Sequence, residues 1–315
     1  MIPADHPWWD GMSSAEVDGA EVAIATLQSH GWARGLLAHA RVRGSLPEQL
    51  RQAKSPTPEN ASDLFELRFA AELARAGRVA QYEFPAGVGN STIDFRVVGS
   101  PDWLIELVCL RTTQAVKAST VERDLGQGAA VYSHVLSSDA PNPKNTEEYE
   151  MITAIGKILE KASSEGGPTK FPVPGEGYHA VVVDTRGYLG QSGGDHIDYI
   201  QMGAGAGALR DEDRMWAKAI PGTRKPIRGL FEPGNPLAGA KYFRERVHFV
   251  GFVAEERFEP GEISQELLLV NNMNLFANSK HLRTAVGSFP LPGGCLYPVR
   301  LPPARGTDNA TGLGE

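Results

Sequence analysis

Apolar positions recur along the chain with two different periods, and the switch between them predicts the elements. Val17, Ala20, Ile24 and Leu27 fall on one stripe of a helix over 15–29, capped by Ser13 or Ser14 and stopped by Gly31. A second helix is expected over 32–41 and a short third over 46–53, before a Ser55-Pro56-Thr57-Pro58 linker. The next helix, capped by Asn60 or Ser62, runs through Ala76 with Leu64, Leu67, Ala71 and Ala74 buried, and Gly77 ends it. Strand patterns then take over at 79–84, 92–98 and 103–110, with glycine-rich turns between them. Helices over 119–136 and 146–163 and a strand over 178–184 follow. Beyond that point the expected elements are a helical turn over 195–201, a helix within 235–246 and strands over 247–254 and 265–270.

This alternation of strands and helices predicts an α/β protein, a three-layer α/β/α sandwich around a mixed central sheet. A helical extension over 1–58 precedes the core of 59–200. An α/β extension over 201–305 is expected to pack on that core, and a polar, Gly-rich tail over 306–315 to be flexible. With 315 residues, one large domain or two modest ones can each bury a core. Two cysteines exclude a disulfide scaffold. The opening residues lack a basic start and an apolar core, and no run approaches the ~20 apolar residues of a membrane span. These features together lead us to expect a cytoplasmic protein with no membrane partner.

The formal net charge of −7 gives no global attraction to nucleic acid. Locally the balance reverses. Between 214 and 246 eight Lys/Arg, among them Arg224, Lys225, Arg228, Lys241 and Arg244, stand against Glu232 and Glu245. Such a stretch is either a solvated face or a contact surface for a phosphate backbone.

The most informative residue is Glu106, set in the run Trp103-Leu104-Ile105-Glu106-Leu107-Val108-Cys109-Leu110. A strand apolar on both faces belongs inside a covered sheet, where a carboxylate is costly unless paired, protonated or metal-bound. Asp94 lies on the preceding strand. A three-residue turn, Gly99-Ser100-Pro101, sets Asp94 directly opposite Glu106, whereas a two- or four-residue turn sets them on opposite faces. Two facing carboxylates repel, and a divalent cation with oxygen ligands relieves them. Glu66, on the helix before the strands, is the third acidic candidate. Its alternative is a first-turn glutamate suited to the helix dipole.

In these residues and in its order of elements, the segment from about 60 to 184 resembles the PD-(D/E)XK nuclease superfamily, the restriction-endonuclease-like fold. Thr92-Ile93-Asp94-Phe95 is similar to the first half of the signature and Leu104-Ile105-Glu106-Leu107-Val108 to the second. The resemblance implies Mg²⁺ or Mn²⁺ held by Asp94 and Glu106, with Glu66 directly or through water, and phosphodiester hydrolysis in DNA. The signature lysine falls on Val108, which can neither orient water nor steady a phosphate. Lys117 and Gln127 are candidates for the missing polar group. Without a replacement, the same fold would serve as a degenerate nucleic-acid- or protein-binding module, alone or as a homo-oligomer. Separately, Gly190-Gln191-Ser192-Gly193-Gly194 matches the G-x-S-x-G pattern of serine hydrolases, with Ser192 as the nucleophile, although the strand ends well before it.

Overall fold

The computed structural model describes residues 14–39, 58–86, 88–126, 129–134, 136, 142–164, 169–188, 196–211, 227–253, 263, 266–291 and 295–297. Helix α1 (Ser14–Gln28) forms where its apolar stripe predicts it, and Ala20, Ala23 and Leu27 are buried. The helix expected over 32–41 is a 3₁₀ turn (Gly31–Ala33) running into the short α2 (Arg34–Ala38). The helix expected over 46–53 and the tail over 306–315 lie outside the described residues.

Helix α3 (Pro58–Arg75) starts with proline at its first position, where a missing N–H costs nothing. It ends at Gly77, whose φ of 67° suits glycine. The amides of Gly77 and Arg78 reach back to the carbonyls of Ala74 and Leu73 at 3.0 and 2.8 Å and so satisfy the last turn. The stop sends the chain directly into β1 (Val79–Pro85), followed by β2 (Thr92–Val98) and β3 (Trp103–Cys109).

The β2–β3 pairing is antiparallel, with Phe95 opposite Ile105, Arg96 opposite Leu104 and Val97 opposite Trp103. This is the register of the three-residue turn, and one step further it sets Asp94 against Glu106. Asp102 fixes the turn. Its Oδ1 accepts from the Gly99 amide at 2.8 Å and its Oδ2 from Arg96 Nε at 2.9 Å. Against the effect of burial, these partners hold its carboxyl below the ordinary range.

Helix α4 (Gln114–Ser119) leads into strands β4 (Thr120–Gly126) and β5 (Ala129–His134), which pair as a separate two-stranded ribbon. This corrects the helix expected over 119–136. The segment holds Thr120, Val121, Val131 and Tyr132, which favour strands, and glycines at 126 and 128 flank its centre. Helix α5 (Glu147–Ala162) is capped by the Thr146 side chain on the Tyr149 amide at 3.1 Å. It leads to the fully buried strand β6 (Tyr178–Asp184).

Helix α6 (His196–Ala204), α7 (Ala240–Arg246), β7 (Phe249–Val253), β8 (Leu267–Asn271), α8 (Ser279–Gly287) and β9 (Cys295–Tyr297) complete the described elements. They form an α/β structure on a mixed open sheet of order β1-β2-β3-β6-β7-β8-β9. The pairs β3/β6, β6/β7 and β8/β9 are parallel and the remaining pairs antiparallel. The last three strands therefore continue the core's own sheet.

Helices cover both faces. Leu64, Leu67 and Ala71 of α3 pack with Phe95, Ile105 and Leu107 on one side. Met151, Ile155 and Ile158 of α5 pack with Val108, Val181 and Val183 on the other. Helix α6 lies so near the sheet that a Cβ on Gly203 would be 2.8 Å from Val270 Cγ1. Among the described residues, no helix is long and apolar enough to cross a membrane.

Candidate active site

Glu106 shares the strand parity of Val108 and is directed toward the layer that holds α5. It is 0% exposed. Two ammonium groups meet the same oxygen, Oε1: Lys170 Nζ at 2.6 Å and Lys161 Nζ at 3.3 Å. Lys161, in the last turn of α5, also lies 3.6 Å from Asp94 Oδ1. It therefore bridges the two carboxylates that the strand register brings together.

Those carboxylates also replace the main-chain ladder where it opens. Beyond the Phe95–Ile105 pair, Asp94 Oδ2 accepts from the Leu107 amide at 2.7 Å and Glu106 Oε2 from the Asp94 amide at 3.3 Å. Each side chain thus holds the opposite strand. Glu83, between Tyr82 and Phe84, which pair with Phe95 and Ile93 of β2, has φ of 49°, an uncommon left-handed conformation for a non-glycine residue. Ile93 and Phe95, two residues apart, pack into different cores, so β2 turns its side chains at Asp94.

Glu66 comes from α3. The helix starts at Pro58, so Glu66 lies in its interior and not in a first turn, and the dipole explanation for it lapses. Its Oε2 accepts from Tyr82 Oη at 2.8 Å. Burial, then the charge of Asp94, pushes the Glu66 carboxyl up to about 8, against the opposing pull of Tyr82 and Lys161. Burial and Asp94 likewise push Glu106 up to about 7, opposed by Lys161 and Lys170. Burial alone would lower the Lys161 ammonium, but Asp94, Glu106 and Glu66 overcome it and hold it above its usual range. The three carboxylates thus act on one another as a group.

Lys161 and Lys170 are the functional residues that sequence reasoning missed. A signal for Lys161 existed. Val108 faces α5, so this helix is one place a replacement cation can come from, and Lys161 sits at its polar border beside Ile158 and Ala162. No comparable signal marked Lys170, which lies in an irregular segment before β6. Lys117 is half-buried in the last turn of α4, and the cations acting on Glu66 and Glu106 are Lys161 and Lys170 instead. Gln127 lies outside the described residues.

Arg224, Lys225 and Ser192 also lie outside the described residues. Arg228 is exposed and 3.4 Å from Glu232 Oε1, and Arg244 donates to the Glu232 carbonyl at 3.0 Å. Lys241 is exposed, with its ammonium 6.0 Å from the Tyr242 ring.

Among the described residues, no three His, Cys, Asp or Glu side chains converge into a ready metal cluster. The donor chemistry nevertheless suits a hard divalent cation. All donors are carboxylate oxygens, and burial and the neighbouring charge of Asp94 raise two of them, Glu66 and Glu106, to about 8 and about 7. The chain matches no protein-family model, no curated protein and no solved structure.

Proposed function

We propose that this chain is a metal-dependent nuclease-like protein of the restriction-endonuclease-like PD-(D/E)XK type, hydrolysing phosphodiester bonds in DNA. The observation that carries the reading is the Lys161 ammonium, 3.3 Å from Glu106 and 3.6 Å from Asp94, which supplies the cation that Val108 cannot. The order α3-β1-β2-β3, then α5-β6 after the inserted α4 and β4–β5 ribbon, with β6 parallel to β3, supports it further.

In this reading Asp94 and Glu106 hold Mg²⁺ or Mn²⁺, with Glu66 directly or through water. When bound, such a cation lowers the pKa of a water and neutralises the scissile phosphate. The residues of the chain do the rest. Lys161 keeps its charge and offers N–H donors to a phosphate oxygen beside the carboxylates. Glu66, raised to about 8, is suited to taking a proton from an attacking water on the alkaline side of neutrality, where it is ionised. Lys170 balances the buried charge of Glu106. The basic residues Arg228, Lys241 and Arg244 contribute phosphate contacts that carry no sequence preference.

A second reading, a degenerate nuclease fold used for binding, is favoured by one contact. Lys170 lies 2.6 Å from Glu106 and closes that carboxylate into an ion pair. Incubation with single- and double-stranded DNA and Mn²⁺ separates the two. The nuclease reading expects cleavage that falls at least ~100-fold in Lys161→Met and Glu106→Gln, as for loss of a group acting in the transition state. DNA retention without cleavage by the folded wild type would instead support the binding module.

A further inference from the structure

We propose that Tyr82 is the positioning residue of the acidic site, its phenol orienting the Glu66 carboxylate toward Asp94. This rests on the carboxylate-site reading above. The three acids differ in how they are held. Asp94 and Glu106 sit where two strands part, and each accepts a backbone amide, from Leu107 and Asp94 respectively. Glu66 sits inside a helix, where the amides are spent on the helix itself. Its carboxylate must therefore be fixed by a side-chain donor, and Tyr82 Oη supplies one at 2.8 Å. A phenol suits the task because it donates without adding a positive charge that would compete with a bound cation.

The donor is itself well seated. Tyr82 pairs with Phe95 across β1 and β2, with ring centroids 5.5 Å apart. Helix α2 also lies beside it, where a Cβ added at Gly35 would be 3.6 Å from Tyr82 Cδ1. The N-terminal helical segment thereby reaches the acidic site through one aromatic ring.

Mn²⁺ calorimetry on the full chain tests this, with Tyr82→Phe, Glu66→Ala and the double variant beside wild type. Phenylalanine keeps the ring packing, so the fold is expected to persist, and a thermal melt confirms it. We expect Tyr82→Phe to weaken Mn²⁺ binding about 5- to 10-fold at an unchanged melting temperature, the scale of one ordinary hydrogen bond. In the Glu66→Ala background the same substitution should change nothing, which shows that Tyr82 acts through Glu66. A purely structural role would lower the melting temperature and leave Mn²⁺ affinity untouched. Wild-type binding that Tyr82→Phe leaves unaltered, or an effect that persists without Glu66, overturns this inference while the site reading stands. No Mn²⁺ uptake by the wild type overturns the site reading itself, and this inference with it.

Discussion

Lys161 and Lys170 meet the same carboxylate oxygen but differ in their surroundings. The Lys161 side chain is 38% exposed and the Lys170 side chain 16%. Breaking a buried ion pair leaves an uncompensated charge, whereas a partly exposed one is screened by water. Lys170→Met should therefore destabilise the fold by roughly 2–3 kcal/mol in urea titrations, and Lys161→Met by about 1 kcal/mol or less. The order should invert for DNA cleavage, with Lys161→Met the more damaging. Equal stability losses with equal activity losses would make both lysines plain structural counter-ions. Glu106 was legible in the sequence because a lone charge stands out in an apolar strand. Lys170 was not, because a cation in an irregular segment looks like any solvated residue until the tertiary fold brings it to its partner, and Lys161 offered only its place on the border of the covering helix.

At the scale of elements, the site depends on a turn that contains none of its acids. A shift of one residue in the β2–β3 pairing would move Asp94 to the wrong face. Asp102 pins the turn by holding the Gly99 amide and Arg96. Asp102→Ala should cost about 1 kcal/mol of stability, since the pair is partly exposed, and should weaken Mn²⁺ binding as well. Stability lost with Mn²⁺ affinity retained would show that the register has another anchor.

The position of that turn was readable because Gly99-Ser100-Pro101 separates two strong strand patterns, but the sequence leaves its length open between two, three and four residues, and the observed pairs follow the three-residue register. The α3, β1, β2, β3, α5 and β6 assignments were readable for the same reason, strong periodicity between clear stops. The ribbon of β4 and β5 was not. Its Val121, Leu125 and Ala129 mimic helical spacing, and only pairing across the central glycines distinguishes the two structures. The helical start of α3 at Pro58 was also missed, because the Ser-Pro-Thr-Pro run reads as linker although proline is at home in a first turn.

For the whole molecule, two buried sets of groups pull stability in opposite directions with pH. The His179 and His248 rings are pushed down to about 4 and about 3, chiefly by burial. Their folded values lie below the unfolded value of 6.5, so their contribution is present above pH 6.5 and fades as the pH falls toward 4 and 3. Glu66 and Glu106 are raised from 4.5 to about 8 and about 7. Their contribution is complete below pH 4.5 and is lost as the pH climbs through 7 and 8. Urea titrations from pH 5 to 9 should therefore show Glu106→Gln losing less stability on the alkaline side than wild type. A parallel profile would mean that Glu106 is already ionised across that range.

The central claim is that the register-paired Asp94 and Glu106, bridged by Lys161, form a cation-binding catalytic site. Calorimetric titration of Mn²⁺ into the full chain, wild type beside Glu106→Gln, tests it without any choice of substrate. We expect saturable binding by wild type and its loss in the variant. A folded wild type that takes up no Mn²⁺ at millimolar concentration, or a Glu106→Gln variant that binds it equally well, would contradict the account.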